Sequence, residues 1–155
     1  MKFDIMLKTC QRCSAACCKM GGPDFSKSEM EKVLKAGYKN FFVKLNNNHY
    51  ELKCKKGICP YLKEDNSCLI HKVRPLMCKC LPLTINYKNN KKEIMVIECP
   101  LTPLLSKQGI QIMKRQINRI PKKMLYETFS HSKFSKSDLK LVQARYNKFK
   151  RRKLK

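Results

Sequence analysis

The sequence predicts an α+β chain: a small, loop-rich domain with short β-hairpins, followed by basic C-terminal helices. Three observations lead there. Ten cysteines are spread over the first hundred of 155 residues, two segments alternate strand and turn residues, and long helical spacing is confined to the last third. The length suits one ordinary domain and is short for two.

Residues 1–20 carry the first four cysteines, and Gly21-Gly22-Pro23 closes them with a turn signal. Ser26 or Ser28 can cap a short helix through Glu29–Ala36, with Val33 and Leu34 on its apolar side and Gly37 as its stop. Phe41–Leu45 reads as a strand, Asn46-Asn47-Asn48 as a turn and His49–Cys54 as the return strand. Residues 54–80 are rich in cysteine and without periodicity, as a loop-built shell would be. A second hairpin is expected from Leu83–Tyr87 and Glu93–Glu98, with its turn at Lys88–Lys92. Beyond Pro103, helical spacing over Leu104–Ile120 runs to Pro121, which ends or kinks a helix. Ser137-Asp138 opens a last helix, Leu139–Lys155, ending in Lys148-Phe149-Lys150-Arg151-Arg152-Lys153-Leu154-Lys155. The division expected is 1–105 as a cysteine domain and 106–155 as a basic helical extension. No internal repeat or low-complexity linker is visible.

Charge limits the partners. Lys and Arg number 35 against 11 Asp and Glu, a net charge of +24. Such a balance speaks of solubility and association, not of fold. RNA and acidic proteins are the partners expected for Lys148–Lys155, with Phe134, Tyr146 and Phe149 interleaved, although a lysine-rich face also simply solvates a helix. The apolar patch Ile5-Met6-Leu7 is far shorter than a signal-peptide core, and no stretch has the length of a membrane span. The expected compartment is the cytoplasm, where thiols stay reduced; the ten cysteines therefore point to metal or redox chemistry more than to disulfides.

In order, the cysteines run Cys10-x2-Cys13-x3-Cys17-Cys18, Cys54-x4-Cys59-Pro60, Cys68, Arg74-Pro75-x2-Cys78-x-Cys80 and Cys99-Pro100. Thiolates are soft anionic ligands suited to zinc and to iron–sulfur clusters. Two cysteines two residues apart on a turn can face one metal, so the Cys10/Cys13 pair is informative. Several spacings are excluded. His49, His71 and His131 are too scattered for a two-cysteine, two-histidine finger, and the ferredoxin run has only its first interval here. No glycine-rich phosphate loop, catalytic triad or carboxylate pair is present, so whether the chain is an enzyme is left open.

The first cysteine block, together with Cys59-Pro60-Tyr61-Leu62, Cys68-Leu69-Ile70, Val73-Arg74-Pro75-Leu76-Met77-Cys78 and Cys99-Pro100, resembles the YkgJ-like cysteine-cluster family over roughly residues 10–100. The resemblance implies a zinc- or iron-chelating domain with Cys10, Cys13, Cys17, Cys18, Cys59, Cys68, Cys78 and Cys99 at the family's cysteine positions. Cys54 and Cys80 look like extras. The first block is spaced a little differently from the family's, and His71 stands where Tyr is common. A related group of flagellin lysine methylases is described as using a 4Fe–4S cluster, which favours an iron–sulfur cluster over zinc and brings electron transfer or a methyl-transfer-type modification into view. Arg74 is expected either to donate to cluster sulfur or to pin its loop through Glu64 or Asp65. His71 can replace a thiolate or sit behind one.

Overall fold

The computed structural model describes residues 3–88, 91–124, 135–148 and 150–154. Its elements in chain order are helix α1 (Phe3–Arg12), a 3-10 turn Ala16–Lys19, helix α2 (Lys27–Lys35), strands β1 (Phe42–Asn46) and β2 (His49–Leu52), and a 3-10 turn His71–Val73. Helix α3 (Leu76–Cys80), strands β3 (Leu83–Lys88) and β4 (Lys91–Ile97), a 3-10 turn Thr102–Leu104, helix α4 (Lys107–Ile117), helix α5 (Lys136–Asn147) and strand β5 (Arg151–Lys153) follow. Among these residues the strands form two antiparallel sheets, β1-β2 and β3-β4-β5. The α+β class and both hairpins agree with the sequence.

Local chemistry sets each boundary. Ser26 opens α2, and Glu29 Oε2 accepts from both the Ser26 N–H at 2.9 Å and its hydroxyl at 2.8 Å, so the first turn is closed by its own side chains. Past Ala36, Gly37 takes φ +84°, the left-handed stop that glycine reaches without a Cβ penalty. Asn46-to-Asn48 turns the first hairpin, with Asn46 Oδ1 accepting the Asn48 N–H at 3.1 Å. Ser106 and Ser135 cap α4 and α5, each hydroxyl accepting an N–H three residues on. Helix α4 ends at Ile117, four residues short of Pro121, so Asn118 and not the proline carries its end.

Two apolar cores hold the chain. Phe25, Val33, Leu52, Tyr61 and Ile70 bury the first, with Cys54 and Cys59 inside it. Phe25 meets Phe42 edge-to-face at 4.8 Å between centroids, and Phe41 meets Tyr61 at 5.3 Å. The Tyr61 hydroxyl donates to Lys39 O at 2.7 Å, satisfying the polar end of a ring that is 1% exposed. The second core joins Leu83 and Val96 of the β3–β4 sheet to Cys80, Met113, Ile117, Ile120 and Met124. Burying one such aliphatic side chain contributes on the order of 2 kcal/mol.

Three elements depart from expectation. Helix α1 is not among the elements expected over residues 1–20. Helix α3 rises out of the cysteine-dense stretch expected to be loop. The last helix ends at Asn147, and Arg151–Lys153 pairs with β4 as a third strand, Val96 opposite Arg152. The basic end is thus not one continuous helix: sheet pairing satisfies backbone groups that helical charge repulsion among its six cations would have left poorly held. Phe134, Phe149 and His131, named in the sequence reading, lie outside the described residues.

The C-terminal segment is fastened to the cysteine loops. Arg145 Nη1 donates to Lys19 O at 2.7 Å and to Lys56 O at 2.8 Å, and Val142, 1% exposed, packs over Gly57. Gly57 has φ +71°, and a Cβ there would stand 2.7 Å from Val142 Cγ2. Gly57→Ala is expected to lower stability by about 2–3 kcal/mol through strain and overpacking together, whereas Gly37→Ala, open to solvent, should cost about 1 kcal/mol from conformation alone. Urea unfolding of both variants checks the difference; equal losses would rule out the Val142 contact.

Candidate metal centre

Five separate segments deliver the thiols. Helix α1 carries Cys10 near its end, and the Ala15 N–H bonds Cys10 O at 2.9 Å. Ser14 and Ala15 then take φ +57° and +48°, a left-handed pair that reverses the chain and starts the 3-10 turn bearing Cys17 and Cys18. Non-glycine residues pay for that conformation, and the burial of Ala15 at 2% exposure shows what holds it.

Two backbone bonds dock the next loop on this turn: Cys59 N–H to Cys18 O at 2.8 Å and Gly21 N–H to Gly57 O at 2.7 Å. The loop of residues 62–68 closes on itself through the Leu62–Cys68 bridge, with Asp65 Oδ1 accepting from the Ser67 N–H and hydroxyl. Those bonds hold the Asp65 carboxyl below its ordinary range. Pro75 starts α3, which presents Cys78, and the Leu76 N–H donates to Glu29 Oε1 at 2.8 Å. Glu29 therefore caps two helices at once. Cys99 follows β4, its N–H donating to Thr102 Oγ1 at 3.1 Å, and that hydroxyl lies 3.8 Å from Cys99 Sγ.

The structure brings seven of the eight family-position cysteines onto one cavity of about 310 Å³: Cys10, Cys13, Cys17, Cys18, Cys68, Cys78 and Cys99. Cys59 lines an adjoining cavity of about 410 Å³, whose wall also includes Cys17, Cys18, Cys68, Cys78 and Cys80. Cys54 is buried in the first core and donates its thiol to Gly21 O at 2.9 Å. Cys80 is buried in the second core, its thiol 3.9 Å from Met113 O.

Arg74 lines both cavities. Its Nη1 stands 2.6 Å from Nε2 and 2.9 Å from Nδ1 of His71, and Nη2 points to Met6 Sδ at 3.1 Å. Of the two roles expected for Arg74, the pinning bond to Glu64 or Asp65 is absent among the described residues; Asp65 engages Ser67 and Lys63 instead. The imidazole of His71 is pushed down to about 4, by burial first and by the guanidinium second, so it is neutral beside its cationic neighbour.

Desolvation dominates the thiols. Burial pushes Cys10 up to about 12, with the charges of Cys17, Cys13 and Cys99 adding and Arg74 opposing. Cys59 also rises to about 12 by burial, then through Cys68 and Cys17. Cys78 is raised well above the ordinary thiol value by burial and by Cys59, Cys17 and Cys68, and Cys17 chiefly by its hydrogen bond with Cys18. Cys68 is raised by burial while Arg74 lowers it. These groups are neutral thiols at pH 7 until a cation replaces their protons.

Do the residues fit a metal? No three Cys, His, Asp or Glu side chains among the described residues are gathered closely enough to grip one ion as they stand. The donor chemistry fits nonetheless: seven cysteines line one cavity. Arg74 Nε–H, buried and without a partner, is moreover an orphaned donor on the same side chain that lines it. A buried N–H of this kind costs about 1–3 kcal/mol unless an acceptor such as sulfide or thiolate arrives.

Comparison with known proteins agrees. The chain matches, over residues 9–100, the model of the CxxCxxCC family, described as a "Putative zinc- or iron-chelating domain". The match spans more than half the chain, so the chain belongs to that family. It is also 31% identical over 105 residues to the uncharacterized protein MJ0661 of Methanocaldococcus jannaschii, covering 59% of this chain and 55% of the relative. The chain thus spans about half the length of that curated relative. No solved structure matches it. Among the described residues no helix is long and apolar enough to cross a membrane.

Sequence reasoning missed Glu29 and Thr102 as supports. The Ser26-to-Glu29 capping box was legible, but its second carboxylate oxygen serves a helix 47 residues away. Glu29→Ala should therefore cost about 2 kcal/mol, more than a lone cap. Metal loading should release protons as well: zinc titrated into metal-free protein at pH 7 is expected to displace roughly one proton per ligating thiol, so apparent affinity rises with pH. Calorimetry in two buffers of different ionisation enthalpy measures the number; zero protons would mean the ligands are not these thiols.

Proposed function

We propose that this cysteine domain carries an iron–sulfur cluster, of the 4Fe–4S kind, and serves electron transfer or a methyl-transfer-type modification that draws on it. The observation that carries the reading is the 310 Å³ space ringed by seven thiols and the Arg74 guanidinium. Four sulfurs around a single zinc stand about 3.8 Å apart and leave no interior space. A cubane of iron and sulfide fills a volume and spreads its thiolates more widely.

Arg74 is suited to that group. Its orphaned Nε–H would donate to cluster sulfur, and its fixed charge offsets part of the thiolate charge, which raises the reduction potential. His71, neutral against Arg74, keeps the guanidinium from turning away. When bound, the cluster would supply one-electron chemistry; the protein supplies thiolates, exclusion of water and the donor.

Protein purified without oxygen should contain about four irons and four sulfides per cluster and absorb broadly in the visible. Zinc without sulfide would sink the cluster reading. In the cluster-bearing chain, Arg74→Met is expected to move the potential negative by roughly 60 mV, the value of about 1.4 kcal/mol for one electron, with Arg74→Lys intermediate. Removing the metal should unfold residues 10–100, because ligation contributes on the order of 10 kcal/mol to folding; a cooperative melt that survives demetallation would contradict this.

A second reading rests on charge. With a net +24, the basic residues Arg115, Arg119, Lys140, Lys148 and Lys150 are exposed, and we infer that this end engages RNA or an acidic protein while the metal serves structure. Because β5 and Arg145 are built into the fold, deletion of the segment is a poor test. Replacing those exposed cations by Gln should weaken RNA binding and make its salt slope shallower by about one for each phosphate left without a cation. Unchanged binding would remove the assignment.

A further inference from the structure

We propose that the thiols form two separate centres, one on each side of the Cys17–Cys18 doublet. The first takes Cys10, Cys13, Cys17 and Cys99. The second takes Cys18, Cys59, Cys68 and Cys78. This rests on the thiolate-metal reading above and states how that site is divided.

The two cavities carry the division. Cys10, Cys13 and Cys99 face only the smaller, and Cys59 only the larger; the doublet, Cys68 and Cys78 stand on the partition between them. A single compact centre has four ligand positions and cannot draw thiols from the far wall of both spaces. Eight thiols supply two such centres with none left over.

The doublet decides the register. Cys17 and Cys18 sit in a 3-10 turn on the wall shared by both spaces, so the two centres meet at the doublet. Cys18 packs against the first core beside Cys59 and Cys68, and its carbonyl accepts the Cys59 N–H at 2.8 Å. That ties Cys18 to the second group. Cys17 and Cys78, which line both spaces, complete the first and second groups in turn. Arg74, lining both spaces, lies where its charge serves both centres.

The test counts metal and sulfide per chain by native mass spectrometry on full-length protein reconstituted with iron and sulfide without oxygen. Two centres are expected in the wild type, about eight irons if both are 4Fe–4S. Cys13→Ser should remove half, Cys59→Ser the other half, and the double variant everything. Cys99→Ser should repeat the first result and Cys68→Ser the second, so a single misfolded variant does not decide the matter. One centre in the wild type overturns the proposal, as does a pattern in which members of one group behave unlike each other. Two zincs without sulfide, divided in the same way by the variants, would keep the two-centre division while refuting the iron–sulfur reading.

Discussion

A thiol withdrawn from water keeps its proton, and the rest of this structure is arranged around that fact. Cys10 and Cys59 are pushed up to about 12, and Cys78 well above the ordinary value, because burial penalises each thiolate and its neighbours' charges add to the penalty. A set of like charges so placed cannot ionise together unless cations arrive with the ionisation. On the proposed reading, metal would turn these loops from a collection of half-buried thiols into a bound centre, and folding and loading would be coupled through the same protons.

The scaffold around the thiols is correspondingly spare. Two small apolar cores flank them, one under the first hairpin and one between the second sheet and α4. Loops are fixed by single well-placed bonds: Cys59 N–H on Cys18 O, Gly21 N–H on Gly57 O, Leu76 N–H on Glu29. Each joins segments far apart in sequence, so each carries a loop-closure cost that local contacts do not. The C-terminal arm adds a further clasp, with Arg145 bonding the carbonyls of Lys19 and Lys56 on either side of Gly57's contact with Val142.

Charge is divided between interior and surface. Arg74 is the cation placed among the thiols, and it bears on Cys10, Cys68 and Cys78 in the direction that favours ionisation. The surplus that makes the chain +24 lies, among the described residues, mostly on exposed lysines and arginines. Their field also favours gathering anionic sulfur in the interior, though screened by solvent and salt. A basic chain is a consistent host for many thiolates, whatever the outer face binds.

By itself the sequence determined the thiol donor set, the two hairpins, a helix capped at Ser26 or Ser28 and the family, because each rests on residue type at short spacing. The capping box needs only Ser26 and Glu29, the hairpins only alternation and asparagine turns, and cysteine spacing survives without knowledge of the fold. Helix α1 does carry helical spacing in Phe3, Met6, Leu7 and Cys10, but its last member is a cysteine that also reads as a ligand, and α3 is hard to read because five residues give no period. The end of the chain reads as helix by composition and becomes strand at Arg151–Lys153 because β4 offers an unpaired edge, which no local pattern announces. Only the tertiary structure decided that Cys99 returns to the thiols of residues 10–18, that Arg74 lines the thiol cavity and meets His71 in place of an acidic neighbour, and that Cys59 lines an adjoining cavity with Cys17, Cys18, Cys68 and Cys78. Those are contacts between segments dozens of residues apart, fixed by burial and backbone pairing and not by spacing along the chain.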